Sequence, residues 1–360
     1  MSIRNYYHIK ITFDKKRTHC RTKLSYYQYS SQYPLLKDTF VFLSGEINIV
    51  AGRSKIYTQN QILNNNNSSI YQQLFKGLLY YYALSFDKPV VTKIEIIRKA
   101  KRIQETVTSI TTTDILQPIN DIINSSMKFD PTALEAIFEE TDKGETVRKA
   151  LSYWLKGMSS QEKFYRFERL WRAFNCIYRY NSGHSTDHCQ QRDIRTLILA
   201  NQIFLKETCR EIQTFDILKL RGLRWRALIL NDYPTLNQTT KFRDFVRRYS
   251  DSRIKQLLKD TLLYREKYLR TRGLLSEVTA HLNASGSNND GELISLVAIK
   301  YAYFVRNKMF HGQIPESSFK LQLNNEDKEI DILNSVLEKL VVELINNHNI
   351  LKSIPSTPCN

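Results

Sequence analysis

The sequence predicts two domains of different class. A β-rich α+β domain spans residues 1–157, and an all-α helical bundle spans 158–352, followed by a short tail at 353–360. Three observations lead there. The 360 residues exceed what one ordinary hydrophobic core organises. Short alternating apolar segments fill the first 57 residues. From Ser159 onward, apolar side chains recur at three- and four-residue intervals, with few strand-like runs.

In the first domain, YYHIKITF (Tyr6 to Phe13) alternates as a half-buried strand does, and FVFLSGEINIV (Phe40 to Val50) reads as two strands around a Ser44-Gly45 turn. Asn64 to Ser69 is a polar loop ending in good helix caps. IYQQLFKGLLYYYALSF (Ile70 to Phe86) then has helical length, and Asp87-Lys88-Pro89 ends it. Val90 to Ile97 fits a strand or the start of a helix. Asp130-Pro131 opens a helix over Thr132 to Glu140, with Asp as cap and Pro in the first turn. A further helix over Glu145 to Leu155 is expected to stop at Gly157.

In the second domain, Ser159-Ser160-Gln161-Glu162 resembles a capping box for a helix reaching about Tyr180. Phe164, Phe167, Leu170, Trp171, Phe174, Ile177 and Tyr178 form one face of it. A loop from Asn181 to Gln190 follows. Helices are expected at Asp193 to Leu220, Thr240 to Tyr249, Ser252 to Thr271, Gly291 to His311 and Lys328 to Asn347. Asn283 to Asp290 reads as a flexible connection.

Composition narrows the function. Lys and Arg number 53 against 36 Asp and Glu, a net charge of +17 with a pI near 9.5. Such a surplus favours a polyanionic partner, most simply nucleic acid. Residues 210–272 hold sixteen Lys and Arg against seven Asp and Glu. There, Arg221, Arg224 and Arg226 surround Trp225, and Lys241, Arg243, Arg247 and Arg248 alternate with Phe242 and Phe245. Arginine pairs with phosphate and stacks on bases, so these seven residues form a candidate RNA track. Solvated helix faces whose arginine stems cover apolar surface give the same pattern.

The five cysteines are odd in number and widely spaced, so a disulfide framework is not expected and a reducing cytoplasm is. The first 17 residues lack a continuous apolar stretch of signal-peptide type, and no apolar run is long enough to span a membrane. Phosphate-binding loops of the Gly-x-x-x-x-Gly-Lys type are absent. GHSTDHC (Gly183 to Cys189) could offer metal ligands, but without a second cysteine pair it reads as an ordinary polar loop, and no metal or cofactor is expected.

The richest segment is VRNKMFHG, Val305 to Gly312. Gly312 and Pro315 form a helix-stop signal, which places His311 in the last turn. There the helix dipole favours an imidazolium by about 0.3–1 kcal/mol when exposed. Asn307 and His311 lie about 40° apart on a helix of 3.6 residues per turn, and Arg306 and His311 about 140° apart. Arginine must therefore reach around, or a second chain must complete the site. Together these residues can run RNA transesterification without a metal. Arg306 stabilises the phosphorane charge, Asn307 positions the phosphate or His311, and His311 serves as acid or base. The products are then a 2′,3′-cyclic phosphate and a 5′-OH.

YFVRNKMFHG, with its Arg-Asn-x-x-x-His pattern, resembles the catalytic helix of the HEPN ribonucleases. RFERLWRAFNCIYRY (Arg166 to Tyr180) resembles that family's first helix, with Glu168 at the position of its acidic residue. The resemblance covers Ser159 to Asn347 and leaves 1–157 unassigned. It implies a homodimer with a composite active site, cutting tRNA or mRNA in antiviral defence or as a toxin, with an antitoxin or regulatory partner. The alternative is a non-catalytic HEPN-like module that binds RNA, nucleotides or protein.

Overall fold

A computed structural model describes residues 5–16, 23–28, 37–85, 88–101, 103–119, 121–311 and 325–354. Phe86, Asp87, Gly312, Pro315, Cys20, Cys359 and the tail beyond 354 lie outside the described residues, so the helix-stop signal after His311 does too. The chain divides into two compact units. One comprises 1–161 with 175–180 and 345–348, and the other 162–174, 181–344 and 349–360.

The first unit is built on a six-stranded antiparallel sheet. Its strands are β1 (Asn5–Phe13), β2 (Lys23–Gln28), β3 (Lys37–Leu43), β4 (Glu46–Arg53), β5 (Val91–Ala100) and β6 (Ile103–Thr111), in the order β2-β3-β4-β1-β5-β6. Ser44 and Gly45 turn β3 into β4, as the sequence suggests. Val91 to Ala100 resolves as strand, because Ile94 and Ile96 pair with Ile11 and Ile9 of β1. Alternation then does its work. Tyr7, Ile9, Ile11 and Phe13 of β1, Phe40 and Phe42 of β3, and Ile47 and Ile49 of β4 are all buried.

Helix α1 (Ser69–Ser85) covers that apolar face. Tyr81 stacks on Phe13 with ring centroids 3.9 Å apart, and Tyr80 meets Phe42 at 4.7 Å. Gly77 lets the helix come close, since a Cβ there would already touch Phe40 at 3.4 Å. Helix α2 (Asp142–Met158) is capped by the Thr141 hydroxyl and runs through Gly157 rather than stopping there. Leu151, Trp154, Leu155 and Met158 bury one side of it, and that packing outweighs the weak helix propensity of a single glycine.

The second unit is helical. Helix α3 (Lys163–Asn181) starts from Glu162, not from a Ser159 capping box. The Glu162 carboxylate accepts from the backbone N–H groups of Phe164 and Tyr165. Every member of the anticipated apolar face, Phe164 to Tyr178, is buried.

The helix expected over Asp193 to Leu220 is broken into α4 (Asp187–Ala200), α5 (Lys206–Gln213) and α6 (Ile217–Arg221). Side-chain caps from other positions reward the breaks. Glu343 accepts from Glu207 N, Thr208 N and Thr208 Oγ1 at the start of α5, and Asp216 caps α6. The chain continues through α7 (Trp225–Asp232), α8 (Thr239–Arg247), α9 (Ser252–Leu262) and α10 (Leu275–Asn283). The helix expected to reach Thr271 stops at Leu262, and a short one resumes at Glu266–Thr271.

Helix α11 (290–310) carries the motif, and α12 (Asn325–Asn346) follows. Leu296–Tyr301 inside α11 is π-helical. From Leu293 to Val305 the helix is apolar nearly all round and buried, as a central helix must be. No helix is long and apolar enough to cross a membrane among the described residues.

Candidate active site at the end of helix α11

Burial ends abruptly along α11. Phe304 and Val305 are in the core, Arg306, Asn307, Lys308 and Met309 are half-buried, and Phe310 and His311 are exposed. The apolar sequence fixes the body of the helix, so the polar residues that follow emerge at its end. The π turn lies immediately upstream. Such a segment rotates everything beyond it relative to a regular helix, and it is frequent near functional sites.

Arg306 and Asn307 are joined directly. Arg306 Nη1 donates to Asn307 Oδ1 at 2.9 Å. The guanidinium also lies over the Phe310 ring, 4.3 Å from its centroid. Phe310 is one turn further along, so stacking on it draws the guanidinium toward the helix end where His311 sits. Arg306 and Phe310 share one face of the helix, and the angular offset between Arg306 and His311 remains. Arg306 Nε is buried and has no hydrogen-bond partner among the described residues. No carboxylate among the described residues pairs with this guanidinium.

His311 is the C-cap, its N–H donating to Asn307 O at 3.0 Å. Its imidazole makes no hydrogen bond with any described residue. An exposed imidazole, an amide and a cation without a carboxylate partner thus share one helix end.

Glu168 is on α3, which packs against α11 through Trp171 and Tyr303, ring centroids 6.1 Å apart. The two helices picked out by the sequence resemblance are therefore neighbours. Glu168 itself pairs with Arg172, four residues on, at 2.6 Å. No hydrogen bond joins it to Arg306, Asn307 or His311.

The seven basic candidates on α6 to α8 divide into three groups. Arg221 pairs bidentately with Asp260 at 2.7 and 3.2 Å, Arg243 pairs with Asp244, and Arg247 with Glu277. Arg224 serves the interior. It bonds Glu329 through Nε and Nη2, with 2.6 Å the shortest contact, and it reaches Glu326. Tyr301 of α11 also bonds Glu329 and accepts from Arg224 N, so this cluster ties the π turn to α12. Burial pushes the Glu329 carboxyl above its ordinary range, against the pull of Arg224. The third group is exposed: Arg226, stacked on Tyr264 at 4.7 Å, and Lys241 and Arg248, neither with an ion-pair partner among the described residues. The region is thus an alternation of ion pairs with scattered open cations, and not a continuous basic face.

Two features escaped the sequence. Nothing in the amino-acid pattern marks Leu296–Tyr301 as π-helical. The role of Phe310 as a platform for Arg306 could have been anticipated from the four-residue spacing of an aromatic and a cation.

No family model, curated protein or solved structure matches this chain.

Proposed function

We propose that this chain is a metal-independent endoribonuclease of HEPN type, with Arg306, Asn307 and His311 as its reacting groups. One observation carries the reading. At the exposed end of α11, an imidazole that bonds no described residue lies five residues on from a guanidinium that Asn307 and Phe310 hold and that no described carboxylate pairs. In this reading His311 takes the 2′-OH proton or delivers one to the departing 5′-oxygen, and Arg306 holds the negative charge that builds on phosphorus. Asn307 holds the guanidinium and positions a phosphate oxygen with its remaining N–H groups. The bond that forms joins the 2′-oxygen to phosphorus, and the one that breaks frees the 5′-oxygen. The ends are a 2′,3′-cyclic phosphate and a 5′-OH.

Transfer of both protons calls for two groups, and one α11 end supplies one imidazole. A homodimer that brings two such ends together meets that need. Glu168 acts on the site through helix placement, since its carboxylate is held by Arg172. The net charge of +17 supports RNA, tRNA or mRNA, as substrate. A role in antiviral defence or as a toxin restrained by an antitoxin is the biological setting this activity suits.

A second reading has one observation in its favour. Phe310 is 49% exposed with a guanidinium on its other face, an arrangement that could stack an unpaired base without cutting the strand. The test is to incubate wild type and His311→Ala with total RNA in EDTA and map the ends. Cyclic-phosphate ends made by wild type alone support the nuclease. RNA retained by both proteins, with no new ends, supports the binding module.

A further inference from the structure

A concave site lies in the helical unit, and no residue of the α11 motif lines it. Its volume is about 390 Å³, within the span of small-ligand cavities. Its floor is a single face of α9, because Ser252, Lys255, Gln256 and Lys259 recur at the i, i+3, i+4 and i+7 positions. One wall is Arg221 at the end of α6.

The other wall is the chain after α10, the stretch whose composition reads as a flexible connection. It is instead fastened to the start of α9. Ser252 N donates to Ser287 O at 3.2 Å, and the Ser252 hydroxyl bonds the Asn288 side chain. Asp251, fully buried, accepts from Asn289 N. At Gly286 the approach is so close that a Cβ would fall 2.4 Å from Ser250 O, so only glycine fits. The wall is built, not draped.

Three cations line this cavity against one carboxylate. Asp260 is held by Arg221 in a bidentate pair, which leaves it little capacity to neutralise the others. Lys255 is only 6% exposed, yet no carboxylate among the described residues meets it. Its ammonium makes two long contacts, 3.3 Å to Ala284 O and 3.4 Å to Ser285 O. An ammonium has three donors, so one remains. Lys259 is exposed and has no ion-pair partner among the described residues. Burying a lysine against nothing but two long carbonyl contacts is costly, and a bound anion would offset that cost.

We propose that this cavity binds a compact phosphoanion of the diphosphate class, such as the phosphate tail of a nucleotide. Lys255 and Lys259 take its oxygens, and the Gln256 amide completes the contacts. Arg221 and its Asp260 partner form the rim. The proposal does not depend on the nuclease reading, because none of these residues belongs to the α11 motif.

The probe is inorganic pyrophosphate, titrated calorimetrically into the full chain. Wild type and His311→Ala should bind it alike. Lys259→Gln should weaken binding by about tenfold or more, the loss of one hydrogen bond between charged groups. Lys259→Glu should abolish binding while the thermal midpoint is kept. ADP binding at least as tightly as pyrophosphate would support a nucleotide tail as the natural occupant. Equal binding to wild type and Lys259→Glu would overturn the proposal. So would a 5′-hydroxyl RNA oligomer that displaces pyrophosphate and loses its own binding in Lys259→Glu, for the cavity would then be a stretch of RNA path.

Discussion

The sheet unit closes its most buried cations on anions, whereas the helical unit, beside pairs such as Arg224 with Glu329, also holds cations without one. In the sheet unit the charges close on one another inside the fold. Arg53 is 4% exposed and grips Asp38 through two bonds of 2.8 and 2.7 Å, with Gln73 donating to the same carboxylate at 2.9 Å. Lys76 is 1% exposed and bonded to Glu140, and burial pulls its ammonium below the usual lysine range. In the helical unit the cations of greatest interest, Arg306, Lys255 and Lys259, meet no carboxylate among the described residues. A cation with a built-in anion belongs to the architecture. One held in place without an anion has room for a phosphate, and the surplus of charge matters functionally only where it is of that second kind.

That contrast can be broken most forcefully at Asp38. Asp38→Ala leaves Arg53 buried without its anion and should cost about 3–5 kcal/mol, read by denaturant unfolding. A cost below about 1 kcal/mol, the range of exposed pairs, would mean the sheet unit does not rely on its internal charges. A smaller effect is expected at Tyr301→Phe, which removes the hydroxyl shared by Glu329 and Arg224 N. About 1–3 kcal/mol should be lost, and hydrogen exchange should speed up along α11. Unchanged exchange there would show that the π turn does not need this tie.

Glu343 sharpens the comparison through pH. Burial, its largest influence, raises the Glu343 carboxyl above its ordinary value in spite of the three bonds it accepts. The folded protein then holds that proton more tightly than the unfolded chain, whose carboxyl titrates near about 4.3. The stabilisation is complete below that value and is lost as pH rises through the raised one. Wild type should therefore lose stability relative to Glu343→Gln as pH rises across that window, measured as the difference in thermal midpoints. The smallest change in stability is expected at Phe310→Ala, about 0.5–1 kcal/mol for a surface cation–π contact. RNA cleavage should nonetheless fall, because Arg306 loses its platform.

Much of this was legible in the sequence where a pattern reports packing. The alternation of Tyr6 to Phe13 and the face from Phe164 to Tyr178 both translate directly into buried surface. The Trp171–Tyr303 contact joins the two segments that the family resemblance singled out. Legibility fails where distant residues decide. The breaks between α4, α5 and α6 depend on a cap from Glu343, far along the chain. Asn283 to Asp290 looks flexible by composition, yet Asp251 and Ser252 pin it. The basic run at 210–272 reveals its neutralisation only in part, since Asp244 and Asp260 lie inside it but Glu277, Glu326 and Glu329 lie outside it in sequence. At the motif, spacing gave the residues but not the register. The π turn and the stack on Phe310 set where Arg306 points, and neither is written in the Arg-Asn-x-x-x-His pattern.

The central claim is that the end of α11 cuts RNA through His311. It is tested most directly by the single-turnover cleavage rate of wild type and His311→Ala in EDTA, with the thermal midpoint of each recorded alongside. The expected result is a drop of about 10²–10⁴-fold with an unchanged midpoint, since the imidazole is exposed and bonds no described residue. Equal rates in the two proteins would contradict the claim and remove His311 from the chemistry.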